Sequence, residues 1–143
     1  MSSETILVPV DGSSQSIAGL EYACSTYPEA RLFLLHVVDL DGSEATDRPQ
    51  SFSDLSEWVD RKHADARAIV EEAETIAAEY GHDPDSDVWI GSASTAIVAF
   101  AEQREVDHII IGSRGTTEGI DVSLGSVAES VVRKAPALVS VIR

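Results

Sequence analysis

Three short segments of the 143-residue chain carry residues that could do chemistry, and each directly follows an apolar run. They are Pro9-Val10-Asp11-Gly12-Ser13, His36-Val37-Val38-Asp39, and Gly112-Ser113-Arg114-Gly115. The third is the most informative. Nine intervening residues separate Gly115 from Gly125-Ser126, at the start of a helical pattern. Glycines let backbone N–H groups approach an anion with no Cβ in the way. A helix start presents unbonded N–H groups and the positive end of its dipole. The Ser126 hydroxyl and the Arg114 guanidinium could add charge-assisted hydrogen bonds. This is the chemistry of phosphate binding. Read from the residues alone, an ordinary glycine-rich turn with Ser126 as its N-cap fits equally well. Neither G-x-x-x-x-G-K-[ST] nor G-x-G-x-x-G occurs.

These segments need elements to hold them. Ile6–Val10, Arg31–Asp39, Asp87–Gly91, Val106–Ile111 and Ala137–Ile142 are short apolar runs that read as strands. Pro9 cannot donate a ladder bond, so it belongs at a strand end or where no partner strand requires its N–H. Between the strands lie amphipathic helices. The first is capped by the 11–14 turn and ends before Pro28. The longest starts at Asp54, with Glu57 as a capping-box partner, and stops at Gly81. Its apolar face runs through Leu55, Trp58, Val59, Ala66, Ile69, Val70, Ala73, Ile76, Ala77 and Tyr80. A third helix is capped by Ser92 or Ser94, and a fourth spans Ser126 to Lys134. Residues 40–53, polar and holding Gly42 and Pro49, form the longest loop and the expected mobile segment. The alternation predicts one α/β domain over residues 1–143, a parallel sheet with helices on both faces. In such sheets ligands sit at the carboxyl ends of the strands.

Composition narrows the function. Twenty-five acidic residues against ten basic ones give a net charge of −15, and only Lys62 and Lys134 are lysines. Such a chain repels nucleic-acid phosphates and anionic membrane surfaces. The same balance matches proteins adapted to a salt-rich cytoplasm, where screening removes self-repulsion. Cys24 stands alone, which excludes an internal disulfide or a cysteine zinc site. The N-terminal residues lack the features of a signal peptide and no apolar run reaches membrane-spanning length, so the cytoplasm is the expected compartment.

Other residues have plainer readings. Asp11 fits a turn beside Gly12 as well as a ligand contact. His36 reads as a core or crevice-lining histidine. His63, His82 and His108 show no metal-ligand spacing and read as surface or structural. Cys24 reads as inert packing, and Trp58 and Tyr80 as core or interface. Asp83, Asp85 and Asp87 read as a solvated loop. Ser13 with His36 lacks a G-x-S-x-G elbow and makes a poor hydrolase.

Ile6-Leu7-Val8-Pro9-Val10-Asp11-Gly12-Ser13, Leu34-Leu35-His36-Val37-Val38, Asp107 through Gly115, and Leu124-Gly125-Ser126-Val127-Ala128-Glu129 together resemble the universal stress protein (UspA-type) family over essentially the whole length. Gly112, Gly115, Gly125 and Ser126 fit the G-2x-G-9x-G-(S/T) spacing of its nucleotide-binding branch. The resemblance implies a Rossmann-like sheet of order 3-2-1-4-5, similar to the adenine nucleotide α-hydrolases. It also implies a homodimer through the last strand, and ATP as ligand. Val37 would lie against adenine, beside Pro9 and Val10. Asp11 would face the ribose or a phosphate-bound Mg²⁺. Gly112, Arg114, Gly115, Gly125, Ser126 and Val127 would surround ribose and phosphates. Glu118 and Asp121, in the 116–123 insert, would repel a triphosphate unless Mg²⁺ or salt intervenes. No activated nucleophile or general base stands near the glycine loop, so the expected role is stress signalling by binding. Slow ATP hydrolysis is the most that Mg²⁺ and backbone donors would supply. The alternative is a dimeric interaction module without nucleotide.

Overall fold

A computed structural model describes residues 4–39, 51–113 and 125–143. Arg114, Gly115, the 116–123 insert and residues 40–50 of the expected loop lie outside the described residues. Five strands, β1 (Thr5–Pro9), β2 (Arg31–Val38), β3 (Asp85–Ile90), β4 (His108–Gly112) and β5 (Leu138–Ile142), form one parallel sheet of order β3-β2-β1-β4-β5. Among the described residues four helices, α1 (Ser14–Thr26), α2 (Phe52–Glu79), α3 (Ala93–Gln103) and α4 (Ser126–Lys134), alternate with them.

Strand alternation divides the core into two layers. Ile6, Val8 and Val10 of the β1 segment, with Leu32, Leu34 and Ile110, pack beneath α1 and α2. Leu7, Phe33, Leu35, Ile109 and Ile111 pack on the other face, beneath α3 and α4. Side chains that alternate across a sheet must fill both layers, which is why the strand sequences read as continuous apolar runs.

Pro9 ends β1, and its backbone direction explains why a proline is tolerated in the central strand. Val10 N–H donates to Leu35 C=O, so even-numbered residues of this segment bond toward β2. Thr5 C=O accepts from Asp107 N–H, so odd-numbered residues bond toward β4. The missing Pro9 N–H therefore faces β4. There the ladder has already stopped, because pairing of β1 with β4 covers only Ile6↔His108 and Leu7↔Ile109. The two strands part beyond Leu7, at the position where strand order reverses.

Some expectations need correction. α2 begins at Phe52, not Asp54, and its first helical bond runs from Leu55 N–H to Ser51 C=O. On its predicted apolar face Trp58 and Ala66 are buried, but Leu55, Val59 and Tyr80 are exposed. β3 starts at Asp85, two residues before the expected start at Asp87, so Asp85 belongs to the strand and not to a solvated loop; it pairs with Arg31 at 3.0 Å, and Asp87 pairs with Arg104 at 3.7 Å. Asp87 also accepts from the Trp89 indole N–H at 3.1 Å. Of the histidines, His82 and His108 are buried rather than on the surface. His108 Nε2 lies 2.8 Å from Ser140 Oγ, which makes it structural.

Candidate functional site

The parting of β1 and β4 opens a cleft of about 440 Å³ at the carboxyl edge of the sheet. That volume falls in the range of small-molecule sites, roughly 300–1,000 Å³. Its apolar side is built by Leu35 and Val37 of β2, Ile97 of α3 and Ile111 of β4. Pro9, Val10, Asp11 and Ser16 line it from the β1–α1 turn. Gly112 closes the floor, and Gly125, Ser126, Val127 and Ala128 bring the first turn of α4 to the opposite wall.

The β1–α1 turn is built from its own side chains. Asp11 Oδ1 accepts from Ser13 N–H at 2.9 Å, the local bond that makes aspartate a turn former. Gly12 follows with φ +83°, a region that side chains with a Cβ rarely enter. Ser13 caps α1, its Oγ accepting from Ser16 N–H at 3.1 Å. The Ser16 hydroxyl donates to Ser13 C=O and accepts from Asp11 N–H. Asp11 is thus both the turn residue of the plainer reading and a cleft residue. Across the sheet, His36 Nδ1 lies 2.8 Å from Val10 C=O. A carbonyl only accepts, so Nδ1 carries the proton and the ring fastens this turn to β2. Ser13 and His36 are therefore committed to separate structural bonds.

The opposite wall presents backbone donors. α4 is capped by Gly125, not by Ser126, and the cap has no side-chain bond from its own residue. Glu129 N–H makes the first intrahelical bond, to Gly125 C=O. The amides of Ser126, Val127 and Ala128 precede it and have no carbonyl within the helix to receive them. Glu129, in this first turn, is drawn down the helix by Arg133 at 2.8 Å, away from the amide end. Arg133 and Lys134 at the far end complement the dipole.

Gly112 has a second reason to be glycine. A Cβ there would lie 2.9 Å from Ser16 N and closer still to the Gln15 carbonyl. The glycine lets β4 pack against the first turn of α1, and Gly19 meets it from the helix side. Charge in the cleft is one-sided: Asp11 and Asp39 are the charged side chains among its described lining, and both are acidic.

Eight residues singled out in the sequence meet in this cleft: Pro9, Val10, Asp11, Val37, Gly112, Gly125, Ser126 and Val127. Arg114 and Gly115 lie outside the described residues. Asp39, at the end of the 36–39 segment, also lines the cleft, while sequence reasoning missed Ser16, Leu35, Ala93, Ile97, Ile111 and Ala128 as lining residues. Ala93 and Ile97 belong to the helix after β3, which carries no motif. Among the described residues, no cluster of three or more His, Cys, Asp or Glu side chains could hold a metal ion by itself. No helix there is long and apolar enough to cross a membrane.

Known proteins are similar to this chain in sequence and fold. Universal stress protein MJ0531 of Methanocaldococcus jannaschii is 29% identical over 140 residues, spanning 96% of this chain and 81% of that protein. The structure of universal stress protein UspA from Lactobacillus plantarum superposes with a TM-score of 0.79 at 30% identity, covering 100% of this chain and 99% of that one. A universal stress protein family protein of Arabidopsis thaliana, solved with AMP bound, has the same fold at a TM-score of 0.73 and 18% identity, covering 97% of this chain and 90% of its own. The model of the universal stress protein family matches residues 3–143. With the β3-β2-β1-β4-β5 sheet in place across that span, the chain belongs to the universal stress protein family.

Proposed function

We propose that the cleft binds an adenine nucleotide, ATP with Mg²⁺, and that the protein acts in stress signalling by binding rather than by turnover. The observation that carries this reading is the meeting of two unlike walls where β1 and β4 part. Leu35, Val37 and Ile97 offer an apolar slot suited to a flat base. The first turn of α4 offers backbone amides and the positive end of a helix dipole to a phosphate. The Gly112, Gly115, Gly125, Ser126 spacing joins the two, and the AMP held by the Arabidopsis relative supports the same ligand class. In this reading Val37 contacts the base, Pro9 and Val10 support it, and Asp11 faces the ribose or would help hold a phosphate-bound Mg²⁺. Arg114 and Gly115 extend the phosphate contacts from the glycine loop. With Asp11 and Asp39 both acidic, Mg²⁺ supplies the positive charge that a triphosphate requires.

The reading extends to a cytoplasmic homodimer. β5 ends the sheet, with Leu138 exposed and Val139, Val141 and Ile142 half-buried along it. An apolar edge strand of this kind is stable in solution when it is covered, and a second copy paired through β5 covers it. Light scattering in molar salt is expected to report twice the 15.3 kDa chain mass; a monomer would remove this part of the reading.

Purified protein, denatured and examined by mass spectrometry, is expected to release an adenine nucleotide. Calorimetry with Mg²⁺-ATP on the stripped protein is expected to show saturable heat. Absence of both would leave the second reading, an interaction module without nucleotide, which the one-sided acidic lining favours.

A further inference from the structure

Ser113 is 3% exposed and sits between Gly112 and the glycine loop. Its backbone N–H donates to Ile142 C=O at 2.8 Å, fixing it to the end of β5. Its hydroxyl oxygen accepts from Gly125 N–H at 3.3 Å. One buried residue therefore joins the last residue of β5, the end of β4 and the N-cap of α4. Twelve positions separate Ser113 from Gly125 in sequence, so this bond ties together two positions within the Gly112–Ser126 spacing.

The choice of amide matters. Gly125 N–H is the cap residue's own donor, directly before the amides of Ser126, Val127 and Ala128. Bonding it to Ser113 fixes the cap relative to β4, and with it the direction in which those amides enter the cleft. Catalytic and binding sites depend on donors held in advance of the ligand, because any ordering done on binding is subtracted from affinity. We propose that Ser113 is a positioning residue for the anionic end of the ligand. It touches no phosphate; it holds the α4 amides where a phosphate is met. This rests on the reading of the cleft as a nucleotide site.

The test compares AMP with adenosine, which differ by the one phosphate. Ser113→Ala removes the hydroxyl while the backbone bond to Ile142 stays. Ser113→Cys keeps the volume but replaces the hydroxyl oxygen by a weak acceptor, and guards against loss of fold in the alanine variant. Wild-type protein is expected to bind AMP more tightly than adenosine. In both variants the AMP affinity is expected to fall by about 2- to 10-fold, the range of one hydrogen bond, with adenosine affinity unchanged. Hydrogen exchange at the Gly125 amide is expected to speed up in parallel. Equal loss for both ligands would show a merely structural role and overturn the proposal. So would an AMP preference that survives intact in both variants. Wild-type protein that binds AMP and adenosine equally, or neither, would overturn the reading of the site and the proposal with it.

Discussion

Replacing Gly112 by alanine separates two roles that the glycine loop combines. If Gly112 matters only for ligand approach, the unliganded fold should tolerate a methyl group. The packing of β4 on α1 argues otherwise. The new Cβ would stand 2.9 Å from Ser16 N and nearer still to the Gln15 carbonyl, against backbone that has no flexible end to move aside. Ordinary carbon contacts lie at about 3.5–4.0 Å, so the first turn of α1 must withdraw by about 1 Å. Overpacking of this kind costs roughly 1–3 kcal/mol, and a backbone contact belongs at the upper end. For 143 residues, an unfolding entropy of about 2.1 cal/mol/K per residue gives about 0.3 kcal/mol/K, so 3 kcal/mol lowers Tm by about 10 °C. Circular dichroism melts without nucleotide, at fixed salt, read this directly. Where the backbone accepts it, glycine to alanine stabilises by about 0.4–1 kcal/mol through the unfolded chain. A Gly112→Ala protein that melts at or above the wild-type temperature would refute the close packing of α1 on β4.

Gly125→Val gives the opposite pattern: Gly125 has φ −61°, which valine can adopt, so the melt should stay within a few degrees of wild type while calorimetric ATP binding is lost. Stability should rise steeply from about 0.01 M to 1 M KCl, because the Debye length shrinks from about 30 Å to about 3 Å around a chain of charge −15; a flat melting temperature would remove the salt-adapted reading. Burial first, and the Glu21 carboxylate second, push the Cys24 thiol up from 9.0 to about 11. Its contribution to stability is complete below pH 9 and is lost as pH rises toward 11, because only the unfolded thiol ionises in that window. Cys24→Ala should therefore show a flatter decline of Tm than wild type between these pH values, and native protein should react slowly with a disulfide reagent at pH 8.

The strands and the chemistry-bearing turns could be read from residue types because each rests on a local signal, whereas the strand order came only from the family resemblance. Apolar runs mark buried parallel strands, and Asp11-Gly12-Ser13 or Gly125-Ser126 marks the break that follows. What could not be read depends on through-space neighbours. Nothing near Asp85 in sequence announces Arg31, so the strand reads as starting two residues late, at Asp87. Leu55 and Val59 keep helical spacing yet are exposed, because spacing defines a face but not what covers it. Gly112 was read as room for an anion, while its contact with Gln15 and Ser16 appears only when α1 is folded back on β4. Ser113 sat inside the motif and was overlooked, because a serine between glycines gives no sign that its hydroxyl reaches the start of a helix twelve residues on. Ala93 and Ile97 enter the cleft solely because α3 packs beside β2.

The central claim is that an adenine nucleotide occupies the opening between β1 and β4. Amide chemical-shift mapping by NMR, with AMP titrated into ligand-free protein, tests it residue by residue. The largest shifts are expected at Val37, Gly112, Ser126, Val127 and Ala128, with none at Ala78 or His82 beside the far end of α2. A saturating titration that leaves the cleft amides unmoved, or moves only residues away from them, would contradict it.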